Sequence, residues 1–167
     1  LMQHTSLVWE PGLKSTKGGH QSDELLQDPA PVMQALKARL CELVSEFLDI
    51  DLLAENAPLK LVGWSVILGN EGFQEPHLHR SGLVSGVLYI SVPEDLQGTE
   101  GALVFSQHLP WLPITRKNRL QSCQVVRPSP GKLVLFPSHY WHQTIPFSSS
   151  EKRISIAFDV IPNERSQ

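Results

Sequence analysis

Leu83-Val84-Ser85-Gly86-Val87-Leu88-Tyr89-Ile90-Ser91-Val92 and, forty residues further on, Lys132-Leu133-Val134-Leu135-Phe136 are the two stretches that decide the fold. Each is a short apolar run, and the chain around them has the same texture. Working outward, similar runs occupy Leu59 to Leu68, Ala102 to Phe105, Gln124 to Arg127, Trp141 to Ile145 and Arg153 to Val160, punctuated throughout by Gly, Pro and Ser. Seven strand candidates with turn signals at intervals of about ten residues are the pattern of an antiparallel sandwich or small barrel. Thirteen prolines and eleven glycines agree with many turns and short strands rather than a helical bundle.

Upstream of these strands lies one helix. From Pro31 the apolar positions Val32, Met33, Leu36, Leu40, Leu43, Val44, Phe47 and Leu48 recur every three or four residues, forming one stripe behind a proline suited to the first turn. It reads as a scaffold helix packed on a sheet. Before it stand one short strand candidate, Leu7-Val8-Trp9, and a polar stretch, Lys17-Gly18-Gly19-His20, that reads as a mobile turn. The expectation is a mainly β fold, a double-sheet jelly roll with a flanking N-terminal helix. It would form a single domain over residues 1–167, with a helical flank at 1–57 and a β core at 58–161.

The 167 residues, 41% hydrophobic and 19% charged, suffice for one packed core and are too mixed for disorder. A net charge of -3 provides no basic field for phosphates or anionic lipid, so neither nucleic acid nor a membrane is expected as a partner. No apolar run approaches the 18 or so residues of a membrane span, and Leu1-Met2-Gln3-His4 does not open a signal sequence, so a cytoplasmic location is expected. A start at Leu1 leaves open that the chain is part of a longer one. Cys41 and Cys123 are far apart, outside any C-x-x-C pattern, and read as reduced packing residues.

Three groups of residues carry chemistry. His77-Leu78-His79 places two imidazoles on one side of an extended segment, within reach of one ion. Solvated histidines are the commoner explanation of such a pair taken alone. Pro76 before it and the Val84 to Val92 strand after it favour a strand margin at the mouth of a sandwich. His142, after Leu133-Val134-Leu135-Phe136-Pro137-Ser138, would bring a third imidazole from elsewhere in the chain; His139 is the alternative, though it directly follows the Pro-Ser turn. Three imidazoles can bind one face of a divalent ion and leave positions open for a small molecule and dioxygen. In Arg153-Ile154-Ser155-Ile156, alternation puts Arg153 and Ser155 on one side. A guanidinium facing the interior needs an anion, and its planar fork matches a carboxylate; the bland alternative is a partly exposed arginine paired with a surface carboxylate. Tyr89 offers a phenolic contact or simple core packing.

In order, H-x-H, Ser85-Gly86-Val87-Leu88-Tyr89-Ile90, Gly101-Ala102-Leu103-Val104-Phe105, Pro130-Gly131-Lys132-Leu133-Val134-Leu135-Phe136-Pro137-Ser138, His142 and Arg153-Ile154-Ser155-Ile156 resemble the 2-oxoglutarate and Fe(II)-dependent oxygenases. The likeness is closest to a largely uncharacterised bacterial and phage group and covers roughly residues 58 to 161. It implies a double-stranded β-helix, Fe(II) and 2-oxoglutarate as cofactors, and a dioxygenase that hydroxylates a small-molecule or protein substrate. It further implies His77 and His142 as iron ligands, Arg153 as the residue holding the side-chain carboxylate of 2-oxoglutarate, and Ser155 and Tyr89 as its support. His79 stands where the usual two-histidine, one-carboxylate triad has Asp, which leaves the site one positive charge richer. Glu75, two residues before His77, is a conceivable replacement carboxylate. The alternatives are a cupin-like metalloenzyme that does not use 2-oxoglutarate, and a non-catalytic binding domain on the same fold. Trp111 reads as a loop anchor, Arg116, Lys117 and Arg119 as a solvated loop, and His4, His20 and His108 fall outside ligand spacing.

Overall fold

A computed structural model describes residues 6–105 and 124–163. The readings of His4, His108, Trp111, Arg116, Lys117, Arg119 and Cys123 lie outside the described residues. In chain order the elements are β1 (Leu7–Trp9), β2 (Thr16–Ser22), α1 (Pro31–Leu48), β3 (Leu59–Gln74), β4 (Val84–Ser91), β5 (Leu103–Phe105), β6 (Gln124–Val126), β7 (Leu133–Pro137), β8 (His142–Thr144) and β9 (Arg153–Pro162). They form a mainly β jelly roll with one flanking helix.

Six strands make the larger sheet in the order β1-β2-β3-β9-β4-β7, and three make the smaller in the order β6-β5-β8. All named pairings are antiparallel. The sheets meet where Phe105 of β5 packs edge-on against Phe136 of β7, with ring centroids 4.9 Å apart.

The helix starts as its sequence dictates, with proline in the first turn, and stops at Asp49, whose left-handed backbone (φ 55) lets its N–H reach the Ser45 carbonyl. Its apolar stripe, Met33, Leu40, Cys41 and Val44, packs with Leu25 and Leu26 against Leu61, Val84, Ile156, Phe158 and Val160 of the larger sheet. β9, central in that sheet, is therefore covered by the helix layer on one face. Its even positions from 156 to 160 meet the helix, and Arg153, Ala157 and Asp159 face the opposite way, into a cleft. Gly86 pairs with Phe158 across β4 and β9, and a Cβ there would run into the Phe158 ring. Cys41 is buried and free, and burial pushes its thiol above the usual range.

Three sequence expectations need correction. Lys17 to His20 is not a mobile turn but the middle of β2, paired with β3. The register shifts between Lys17 and Gly19, and Gly18 takes φ +62, so the two glycines mark a bulge rather than a chain reversal. Residues 1–57 are accordingly not only a helical flank, since β1 and β2 extend the larger sheet at one edge. β3 also runs on past Leu68 to Gln74. Among the described residues no helix is long and apolar enough to cross a membrane.

Candidate functional site

His77 lies just beyond the end of β3 and forms a two-residue bridge with His142, the first residue of β8. The two main chains exchange reciprocal hydrogen bonds of 3.0 and 2.9 Å, and His79 N–H donates to the Ser138 carbonyl at 3.0 Å. Two separate stretches of chain thus deliver three imidazoles to one point. Ring centroids are 4.2 Å apart for His77 and His142, 5.2 Å for His77 and His79, and 5.1 Å for His79 and His142. One nitrogen from each ring falls within 4.8 Å of the others.

The opposite nitrogens fix the tautomers. Nδ1 of His77 donates to the Glu75 carbonyl at 2.7 Å, Nδ1 of His142 to the Tyr140 carbonyl at 2.9 Å, and Nδ1 of His79 to Asp159 Oδ1 at 2.6 Å. With all three Nδ1 atoms engaged as donors, each Nε2 keeps its lone pair as an acceptor, the arrangement that metal-binding histidines use. Ser15 Oγ lies 3.3 Å from Nε2 of His77 and donates to it. Trp64 flanks His79 at 5.7 Å and Phe136 packs edge-on against His142 at 4.8 Å, limiting the rotation of both rings. Burial, and next the neighbouring His77, lowers His142 to about 3; burial lowers His77 to about 4, against its hydrogen bond to the Glu75 carbonyl, which raises it. Both rings are neutral at pH 7, the state a metal ligand requires.

These side chains line a cleft of about 290 Å³ whose wall also includes Trp64, Arg153 and Asp159. Arg153 is 1% exposed, and its Nε and Nη1 have no hydrogen-bond partner among the described residues. Its guanidinium carbon sits 4.8 Å above the Tyr89 ring, whose hydroxyl is likewise buried and unpartnered. Tyr89 and Ser155 are register partners on adjacent strands beside Arg153, and neither forms part of the cleft wall. A buried guanidinium with two nitrogens unpaired is costly unless an anion arrives from solution. His139, the alternative third imidazole, is exposed and packs edge-on against Tyr140 at 5.1 Å.

Glu75 does not supply a carboxylate to the cluster: its side chain is exposed and pairs with Lys17 at 3.7 Å. Asp159, which the sequence reading passed over, does approach it. Buried at 9% exposure, it accepts from His79 and from the Ser85 hydroxyl, each at 2.6 Å. The alternation that aligned Arg153 with Ser155 also reaches Asp159, but its meaning depends on the pairing of Ser85 with Asp159, a register that no local pattern encodes.

The donor set suits a divalent transition metal, because three neutral imidazole nitrogens on one side leave the other side open. The buried guanidinium suits a carboxylate entering the same cleft. Fold and site together define a jelly-roll protein with a three-imidazole centre facing an anion-receptive cleft. The chain belongs to the family described as "Putative 2OG-Fe(II) oxygenase", whose model matches residues 63–159. No curated protein matches it by sequence. Among solved structures it is similar to a prolyl-4-hydroxylase from Pseudomonas putida, with a TM-score of 0.63, 18% identity and coverage of 94% of this chain and 77% of that one. HygX from Streptomyces hygroscopicus, solved with nickel, 2-oxoglutarate and hygromycin B, gives 0.63, 18%, 98% and 76% for the same four quantities. SnoN, an α-ketoglutarate-dependent epimerase from nogalamycin biosynthesis, gives 0.66, 15%, 97% and 69%. At these identities the three structures speak for the fold.

Proposed function

We propose that this protein is a 2-oxoglutarate- and Fe(II)-dependent dioxygenase, with His77, His79 and His142 holding the metal through Nε2 and Arg153 receiving the distal carboxylate of the ketoacid. The carrying observation is the pairing, in one cleft, of three Nε2 acceptors set by their Nδ1 hydrogen bonds with a buried guanidinium, two nitrogens of which have no partner among the described residues. A dicarboxylic ketoacid bridges those two features, chelating at one end and neutralising Arg153 at the other. Tyr89 stacks under the guanidinium and holds it in place, with Ser155 at its side. When bound, the iron and ketoacid supply the oxidation: dioxygen is consumed, the ketoacid becomes succinate and carbon dioxide, and one oxygen atom enters a substrate C–H bond. The chain positions the reactants, and Trp64, Phe136 and Ala157 give the cleft an apolar part of its wall.

The test is anaerobic binding of 2-oxoglutarate to metal-loaded protein, followed by succinate release on admission of oxygen. Wild-type protein is expected to bind the ketoacid and form succinate, and Arg153→Ala to lose at least tenfold in ketoacid affinity. Equal binding in the variant, or no succinate from the wild type with any substrate tried, counts against the proposal. Metal uptake without ketoacid binding would favour a metalloenzyme that does not use 2-oxoglutarate.

A further inference from the structure

We infer that Asp159 is a positioning residue that supplies, from behind the His79 ring, the negative charge a carboxylate ligand would otherwise provide. This rests on the metal and ketoacid reading above. With three neutral imidazoles, a doubly charged cation and a doubly charged ketoacid cancel, and Arg153 remains as one uncompensated positive charge in a buried site. A two-histidine, one-carboxylate triad avoids that imbalance by putting the anion on the metal. Here Asp159 restores the balance one ring further out. Its Oδ1 is 2.6 Å from His79 Nδ1, it is 9% exposed, and its only other side-chain partner among the described residues is the Ser85 hydroxyl.

The bond has two physical effects. It fixes the His79 ring with Nε2 toward the cluster, and it pushes electron density through the imidazole, making Nε2 a stronger donor than the other two rings, whose Nδ1 atoms face neutral carbonyls. His79 is thereby the most carboxylate-like of the three ligands, at the position where Asp is usual. Ser85 acts in the opposite sense. Its O–H draws on the same Oδ1 and moderates the charge that reaches His79.

The experiment compares wild type, Asp159→Asn, Ser85→Ala and His142→Ala by anaerobic Co(II) titration followed by visible absorption, and by the Fe(III)/Fe(II) midpoint potential of iron-loaded protein. Asparagine keeps an oxygen for His79 Nδ1 and removes the charge, so Asp159→Asn should bind Co(II) roughly 10- to 100-fold more weakly. Its midpoint potential should rise, because the ferric state loses its compensating anion. Ser85→Ala should shift the potential downward, a reversal of sign that a packing role for Asp159 would not produce. Unchanged affinity and potential in Asp159→Asn, or shifts of the same sign in both variants, would overturn the inference. Strong Co(II) binding by wild type and its loss in His142→Ala would leave the functional reading standing in that event. A wild type that takes up no Co(II) would sink both. Should Asp159→Asn fail to fold, Ser85→Ala decides alone, a fall supporting the inference and no change or a rise overturning it.

Discussion

Arg153 shows what a ligand-receiving residue does to the unliganded protein. Two of its nitrogens are buried without a partner among the described residues, so the metal-free, ketoacid-free chain carries a desolvation cost in the native state. Arg153→Met should therefore stabilise that form by about 1–4 kcal/mol in urea denaturation while abolishing ketoacid binding. The histidines give a pH prediction of definite sign. His77 and His142 have native pKa values near 4 and 3, below their ordinary 6.5, so the unfolded chain takes up protons that the native state refuses. Metal-free stability should be full above pH 6.5 and should decline as pH falls from there toward 4, with a slope reaching about 2.7 kcal/mol per pH unit for two protons. Denaturant midpoints measured between pH 7.5 and 4.5 would check this. At this scale the sequence was informative where residue type and alternation carry the chemistry, as for the H-x-H pair, His142 and Arg153. It was silent on Asp159, whose partners His79 and Ser85 lie 80 and 74 residues away in the chain.

Among the elements, the strands from Leu59 onward were legible because each apolar run ends in turn residues, and α1 because its stripe has a helical period. β2 was misread for a physical reason: two consecutive glycines signal both a turn and a bulge, and only the partner strand distinguishes them. The length of β3 was missed likewise, since Gly69, Asn70 and Gly72 look like a chain reversal but lie inside the strand, with Glu71 at φ 59 between them. Close packing gives the element-scale prediction. Gly86→Ala places a methyl against the Phe158 ring at the middle of the sheet, and the fold should lose about 1–3 kcal/mol, measured as a lower urea midpoint. Succinate formation per folded molecule should be preserved, because the clash lies on the helix side of the sheet.

For the whole molecule, the arrangement of layers explains how one sheet serves both stability and chemistry. The helix and its apolar partners cover one face of β3, β4 and β9, and the cleft opens on the other, so alternate residues of a single strand divide between core and site. Solved structures share this fold even at 15–18% identity, since the fold depends on pattern rather than on particular residues. Metal loading should leave the far-ultraviolet circular dichroism unchanged, because the three rings already converge without an ion; a gain of ordered structure on loading would argue against a preformed centre.

The bridge between residues 77 and 142 runs wholly from main chain to main chain. Such a clasp does not depend on what either side chain is. Trimming one imidazole to a methyl should leave its carrier still stitched to the opposite one, so a dead ligand variant of this protein can be interpreted as lost chemistry rather than as a collapsed scaffold.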